Sequence, residues 1–339
     1  MDLDAAVQDL HASSGVPGVA AVQVSSAGAH ATAVAGVRRF DDPAPVEPGD
    51  VFHLGSNTKA LTAILAALAV EDGAIGWDTP VREVLGAGEA TLRELLTHAS
   101  GLAPYTDDEE FEHLQLPDGS AVDHRAAFAR AVLAEPAAFV RGSEHRYSNA
   151  GYAVAAAIVE SVTGQPWESA LDSRIFRPLG IRGVVGWPIA HSTAAPLGHW
   201  DDEGAYRVHD PAEVPYTLLP AIRPAGDTSL SISDYGIFLA DQLAGLQGHG
   251  ILGSQAAYRA VHTPDAPDDE GGLGFALGWG VTQRPGGPVS QHTGSAGTFY
   301  AVAALQPESD RGIAVLANSA RDSDIAAVNA VVKAFLAES

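Results

Sequence analysis

Apolar positions along this chain repeat with two different periods. Residues 2–13 carry them at helical spacing, which predicts a short amphipathic helix ahead of the turn SSGVPG. VAAVQVSS and AHATAVAGV then alternate and are rich in β-branched residues, with Ala-Gly between them, so they predict a hairpin. A long apolar run follows from Asn57 to Asp72-Gly73, a fitting left-handed stop. Further helices are predicted over TLRELLTH, DHRAAFARAVLAE (ending before Pro136), NAGYAVAAAIVESVTG and SISDYGIFLADQLAG. From about Gly183 to Gly226 the chain is rich in Pro, Gly, His and aromatics and reads as long loops with scattered short strands. After Gly271 the period returns to two in LGFALGWGVTQ, PVSQHTG, TFYAVAALQP and GIAVLANS, the pattern of an antiparallel meander. DSDIAAVNAVVKAFLAE closes the chain as an amphipathic helix.

Two strands near the start and three or four near the end predict one sheet built from both ends of the chain. The expected fold is therefore α+β: a five-stranded, or slightly larger, antiparallel sheet flanked by the terminal helices, with a mainly helical insertion. The sheet region would comprise residues 1–56 and 266–339, and the helical region, with long site loops, residues 57–265.

Composition narrows the function classes. The 339 residues are 46% hydrophobic and 18% charged, with mean hydropathy near zero, which is globular. A net charge of −23 argues against nucleic acid and anionic membranes as partners. Cysteine is absent, which removes disulfides, thiolate metal sites and a cysteine nucleophile. The N-terminus has no basic and apolar leader pattern, and no run reaches the roughly 18 apolar residues of a membrane span, so a cytoplasmic protein is expected. Among 19 basic residues only Lys59 and Lys333 are lysines.

That scarcity makes Ser56-Asn57-Thr58-Lys59 conspicuous. At the start of a helix, positions 56 and 59 share one face, which sets an amine beside a hydroxyl at a helix N-terminus, where negative charge is stabilised. Serine needs an adjacent base to become a nucleophile, and desolvation favours the neutral amine that a base requires. The plainer reading is a capping serine and a snorkelling lysine. Twenty-three serines and two lysines give roughly 0.14 chance occurrences of the spacing. Tyr147-Ser148-Asn149 stands ahead of another helix: Tyr147 can carry a proton, and Asn149 can donate to a carbonyl and hold the lysine, or can simply cap the helix. His292-Thr293-Gly294-Ser295 ends a predicted strand, where a glycine admits close backbone approach and the following N–H can join that of Ser56 in an oxyanion hole.

SxxK at a helix start, YxN before a second helix and HTG on a late strand, in that order, resemble the penicillin-recognising serine hydrolases, within them the class C β-lactamase and D,D-peptidase branch with its esterase and D-aminopeptidase relatives. LLTHASGL, YSNAGY, RPAGDTSLSISDYGIFL, GFALGWGV and HTGSAGTF are similar to family segments in family order, so the resemblance spans essentially the whole chain. It implies an acyl-serine mechanism with Ser56 as nucleophile, Lys59 and Tyr147 in the proton traffic, His292 beside them, the N–H groups of Ser56 and Ser295 as oxyanion donors, and Asn149, Thr293 and Gly294 around the substrate. No cofactor or metal is implied, and the partner is a small-molecule or peptide substrate. Two positions depart from the pattern. His292 stands where many β-lactamases of this branch have lysine, and Asp227 where the family has the second glycine of PAGG. Arg284 is the one basic residue on the preceding strand that can meet a substrate carboxylate. These departures favour a general esterase or amidase over a D,D-carboxypeptidase or a strong β-lactamase. A transacylase and a slowly acylating sensor are the further alternatives, along with a metallohydrolase built on His199, Asp201, His209 and Asp210.

Overall fold

The computed structural model describes residues 1–214, 218–264 and 272–338; the expected boundary at 265–266 falls outside them. Its centre is an antiparallel sheet of eight strands: β1 (Gly18–Ser25), β2 (Gly28–Arg39), β3 (Asp42–Pro45), β4 (Leu273–Phe275), β5 (Gly280–Arg284), β6 (Gly287–Ser295), β7 (Tyr300–Gln306) and β8 (Arg311–Ala317). The order across the sheet is β3-β2-β1-β8-β7-β6-β5-β4, so the two ends of the chain meet where β1 pairs with β8, Val19 opposite Ala317. The expected antiparallel sheet from both termini is therefore present, wider than five strands. One cause is that LGFALGWGVTQ is two strands: a tight turn, closed by the Ala276 N–H donating to the Trp279 carbonyl at 2.9 Å, folds β4 back onto β5.

Helices α1 (Leu3–Ser14), α2 (Thr58–Glu71), α3 (Asn149–Thr163), α4 (Ile232–Leu246) and α5 (Asp322–Ala337) define the layers. Alternate residues of β1 divide between two cores. Val19 and Ala21 pack with Leu3, Val7, Val328 and Phe335 of the terminal helices, while Ala20, Val22 and Val24 pack with the helical side. With both faces covered, β7 and β8 need apolar residues at successive positions, which is why they read as near-continuous hydrophobic runs.

α2 is buried at every position from Thr58 to Ala69, between the sheet and the helical region. Its buried hydroxyls are satisfied: Thr62 donates to the Pro224 carbonyl at 2.7 Å and receives the Trp167 indole N–H at 3.1 Å. Two short strands clamp its entrance. Val51–His53 pairs antiparallel with Thr228–Ser231, and the Thr58 and Thr228 hydroxyls hydrogen-bond at 2.7 Å. One further helix, Gln255–His262, was not expected from the sequence. No helix among the described residues is long and apolar enough to cross a membrane.

Candidate active site

Ser56 lies in a single 3₁₀ turn, Gly55–Asn57, that feeds α2. Its hydroxyl does not cap the helix; it lies within hydrogen-bond distance of Lys59 Nζ, at 3.3 Å. The same ammonium or amine nitrogen donates to Asn149 Oδ1 at 2.8 Å and to the Ala225 carbonyl at 2.7 Å. Lys59 is fully buried, with its nitrogen 4.5 Å from the centre of the Tyr147 ring and 5.4 Å from that of Tyr152. Among the described residues its hydrogen-bond partners are a hydroxyl, an amide and a carbonyl. With no carboxylate to repay the loss of water, burial holds its pKa well below the usual lysine range, and the neutral amine is favoured.

Asn149 is free to hold Lys59 because the residue before it does the capping: Ser148 Oγ accepts the Gly151 N–H at 2.9 Å. The Asn149 amide in turn donates to the Tyr105 carbonyl at 2.9 Å, which fixes which end of the amide faces the lysine. Tyr147 opens 36% of its surface to the cleft, yet desolvation raises its phenol to about 12, with the Ser56 hydroxyl pulling weakly the other way. Tyr147 is therefore a neutral phenol at pH 7. His292, on β6, is pulled down to about 4, first by burial and then by the nearby Lys59, so its ring is neutral at pH 7. Its Nδ1 lies 2.6 Å from the Thr293 carbonyl.

The end of β6 presses against the turn that carries Ser56. A Cβ on Gly294 would lie 2.1 Å from the Leu54 carbonyl oxygen and 2.7 Å from the Ser56 nitrogen. Gly55, at φ +51°, would place one 2.7 Å from the Ser295 nitrogen. Two glycines thus let the backbone N–H groups of Ser56 and Ser295 meet at one junction. A cavity of about 220 Å³ opens there, lined by Ser56, Asn149 and Ser295 with Trp187, Ile222 and Ala225. A larger groove of about 440 Å³ runs from Tyr147, His292 and Thr293 toward Lys333 of α5. Thr293 pairs with Val302 and lines this groove, not the cavity at Ser56. Arg284 lies at the hairpin end opposite Gly287, four residues, or roughly 13 Å, from Gly280, which pairs with Gln291.

Two residues that carry this geometry were not singled out in the sequence. His98, at φ 64°, accepts the Ser148 N–H on its Nδ1 at 3.1 Å, and its ring lies 4.7 Å from that of Tyr147, tilted by 40°. Tyr105, at φ 56°, supplies the carbonyl that orients Asn149. Left-handed backbone at bulky residues is costly and concentrates at functional sites, and nothing in composition or period reveals it. The segment LLTHASGL was the one available pointer to His98. The four residues of the metallohydrolase reading do not form a site. His199 spends both ring nitrogens on backbone, Nδ1 at 2.7 Å from the Asn318 carbonyl and Nε2 accepting the Phe40 N–H at 3.1 Å, and His209 Nε2 sits 2.9 Å from the Val214 carbonyl.

A family model described as Beta-lactamase matches residues 3–338. Penicillin-binding protein 4 of Amycolatopsis lactamdurans is 27% identical over 89% of this chain and 81% of its own length. The unguisins hydrolase ungD of Aspergillus violaceofuscus is 25% identical over 88% of this chain, which spans 58% of that protein. Esterase EstB of Burkholderia gladioli is 31% identical over half of this chain. Among solved structures, the octameric penicillin-binding protein homologue from Pyrococcus abyssi superposes with a TM-score of 0.82 at 23% identity, covering 99% of this chain and 78% of that one. The class C beta lactamase from Rhodobacter sphaeroides gives 0.77 at 22% identity and covers 98% of each chain; at such identities the likeness is one of fold. The match over nearly the whole length shows that the chain belongs to the Beta-lactamase family, a family of serine hydrolases.

Proposed function

We propose that the protein hydrolyses an ester or amide through an acyl-Ser56 intermediate. The observation that carries this reading is Lys59, fully buried, without a carboxylate partner among the described residues and 3.3 Å from the Ser56 hydroxyl. A buried lysine made neutral by desolvation is a base, and serine is the hydroxyl within its reach. In the forward step Ser56 Oγ bonds to the substrate carbonyl carbon and its proton passes to Lys59 Nζ. The developing oxyanion lies at the N–H groups of Ser56 and Ser295. Tyr147, whose phenol is raised to about 12, keeps its proton until the leaving oxygen or nitrogen needs it, and is reprotonated from Lys59 as the C–O or C–N bond breaks. Water then attacks the acyl carbon by the same route in reverse and frees Ser56.

A neutral-leaving-group ester or amide suits the site better than a substrate that must be gripped by a carboxylate. His292 presents an uncharged ring at neutral pH, and Arg284, which lines the same groove as Tyr147 and His292, sits at the end of its hairpin, roughly 13 Å from Gly280. Relatives named as hydrolase, penicillin-binding protein and esterase are consistent with this reading and do not fix one substrate for this chain. The test is turnover of p-nitrophenyl butyrate beside a penicillin. Ser56→Ala, folded by circular dichroism, should lose ester turnover entirely, and the wild type should favour the neutral ester in kcat/KM. Undiminished turnover by folded Ser56→Ala would move the chemistry to another residue.

A further inference from the structure

Asp227, which stands where the resemblance implies glycine, is buried at 2% exposure. Its Oδ1 lies 3.2 Å from Nε2 of His53, which is equally buried, and its Oδ2 lies 3.2 Å from Nε of Arg223. The other imidazole nitrogen faces the nucleophile turn: the Gly55 N–H donates to His53 Nδ1 at 3.1 Å. Since Nδ1 accepts, the ring proton belongs on Nε2 and is donated to Asp227. The imidazole is stacked on Trp187, with centroids 4.3 Å apart and planes 23° from parallel. The same short helix, Arg223–Gly226, supplies through Ala225 the carbonyl that holds Lys59. The buried carboxylate and the lysine's carbonyl partner are therefore two residues apart on one segment, and both act on the turn that carries Ser56.

We propose that His53 and Asp227 are positioning residues for the nucleophile turn: Asp227 fixes the Nε2–H tautomer of His53, and the free Nδ1 lone pair then anchors the Gly55 N–H so that Ser56 is presented to Lys59 and to the substrate. The inference rests on the acyl-Ser56 reading. Asp227 does not line the cavity at Ser56; His53 does, and its proposed role is to hold the Gly55 N–H. Gly55 is the residue before Ser56, so releasing its N–H lets the whole turn rotate, and a displacement of about 1 Å in a reacting group can cost on the order of a hundredfold in rate. A carboxylate that sets a histidine tautomer works this way in other enzymes, where the isosteric amide disrupts function without disrupting the fold.

The test uses two isosteric or near-isosteric variants and one measurement on the wild type. Imidazole nitrogen shifts of ¹⁵N-histidine-labelled protein, assigned by the signal lost in His53→Gln, should show His53 as the neutral Nε2–H tautomer. In Asp227→Asn that signal should move toward the Nδ1–H tautomer, because the amide can donate to Nε2. Both variants, with melts that show a folded protein, should lower kcat for p-nitrophenyl butyrate by roughly 10- to 100-fold while KM stays within about twofold. An Nδ1–H tautomer in the wild type overturns the proposal. So does a kcat within about threefold of wild type in both folded variants, or a loss seen in KM alone. A wild type that takes no acyl label at Ser56 would overturn the nucleophile reading instead, and the nitrogen shifts would still decide whether Asp227 sets the tautomer.

Discussion

Lys59 is fully buried with no carboxylate among its hydrogen-bond partners in the described residues, and burial fixes the sign of its pH response. Its folded pKa is depressed by burial while the unfolded chain titrates near 10.5, so between those values the unfolded state binds the extra proton. The neutral amine, the base of the proposed reaction, is present above the folded pKa and is lost as pH falls through it. An acidic limb in kcat/KM is therefore expected, with no matching limb in Lys59→Arg, which should be nearly inactive at every pH because guanidinium stays charged. Tyr147→Phe keeps the ring against Lys59 and removes only the proton carrier; its kcat should fall by roughly 10²- to 10⁴-fold with the melting curve unchanged. Steady-state kinetics from pH 5.5 to 9 decide both. A Lys59→Arg enzyme of wild-type activity would mean that the amine is structural.

At the scale of elements, the features that the sequence made legible are those with short-range causes. The scarcity of lysine drew attention to residue 59, the alternation in residues 19–37 predicted the first hairpin, and Gly73 closed α2. What it hid depends on contacts far along the chain. The break inside LGFALGWGVTQ, the left-handed His98 and Tyr105, and the His53–Asp227 pair 174 residues apart follow from packing that no local period encodes. The same holds for Arg125, which reads as one charge on the polar face of a helix. It is wholly buried and binds Glu160 at 2.6 Å, Glu168 at 2.8 Å and the Pro220 carbonyl at 3.1 Å, tying its helix, Ala121–Ala134, to α3 and to Trp167–Leu171. Removing it strands two carboxylates, so Arg125→Met should cost about 3–5 kcal/mol in urea unfolding, with a smaller effect on kcat. Gly294→Ala tests the other junction. Its Cβ would strike the Leu54 carbonyl, and separating β6 from the Ser56 turn should cost about 1–3 kcal/mol and, in the proposed reaction, nearly all activity, since the proposed oxyanion donors part.

Across the whole molecule, the two ends of the chain build the sheet and the helical middle brings Lys59 and Tyr147 to the end of β6. Burial of histidine sets the acid limit of this assembly. His199 and His292 are depressed to about 4 and His262 to about 3, in each case chiefly by desolvation. Each is neutral in both states above about pH 6.5; below that the unfolded chain takes up protons first, and stability is lost progressively toward pH 3–4. Urea midpoints should fall across that window. In His262→Gln they should fall less steeply, whatever that variant's stability at pH 7; an unchanged slope would mean that His262 does not contribute to the acid response.

The central claim is that Ser56 becomes covalently acylated with Lys59 as its base. Its most direct test is intact-mass and peptide mapping of the protein quenched during turnover of a short-chain p-nitrophenyl ester. One acyl group should be found on the peptide that contains Ser56, and none in Ser56→Ala. It should accumulate slowly, or not at all, in Lys59→Ala. An acyl group on any other residue, or ester turnover by a folded Ser56→Ala chain, would contradict the account.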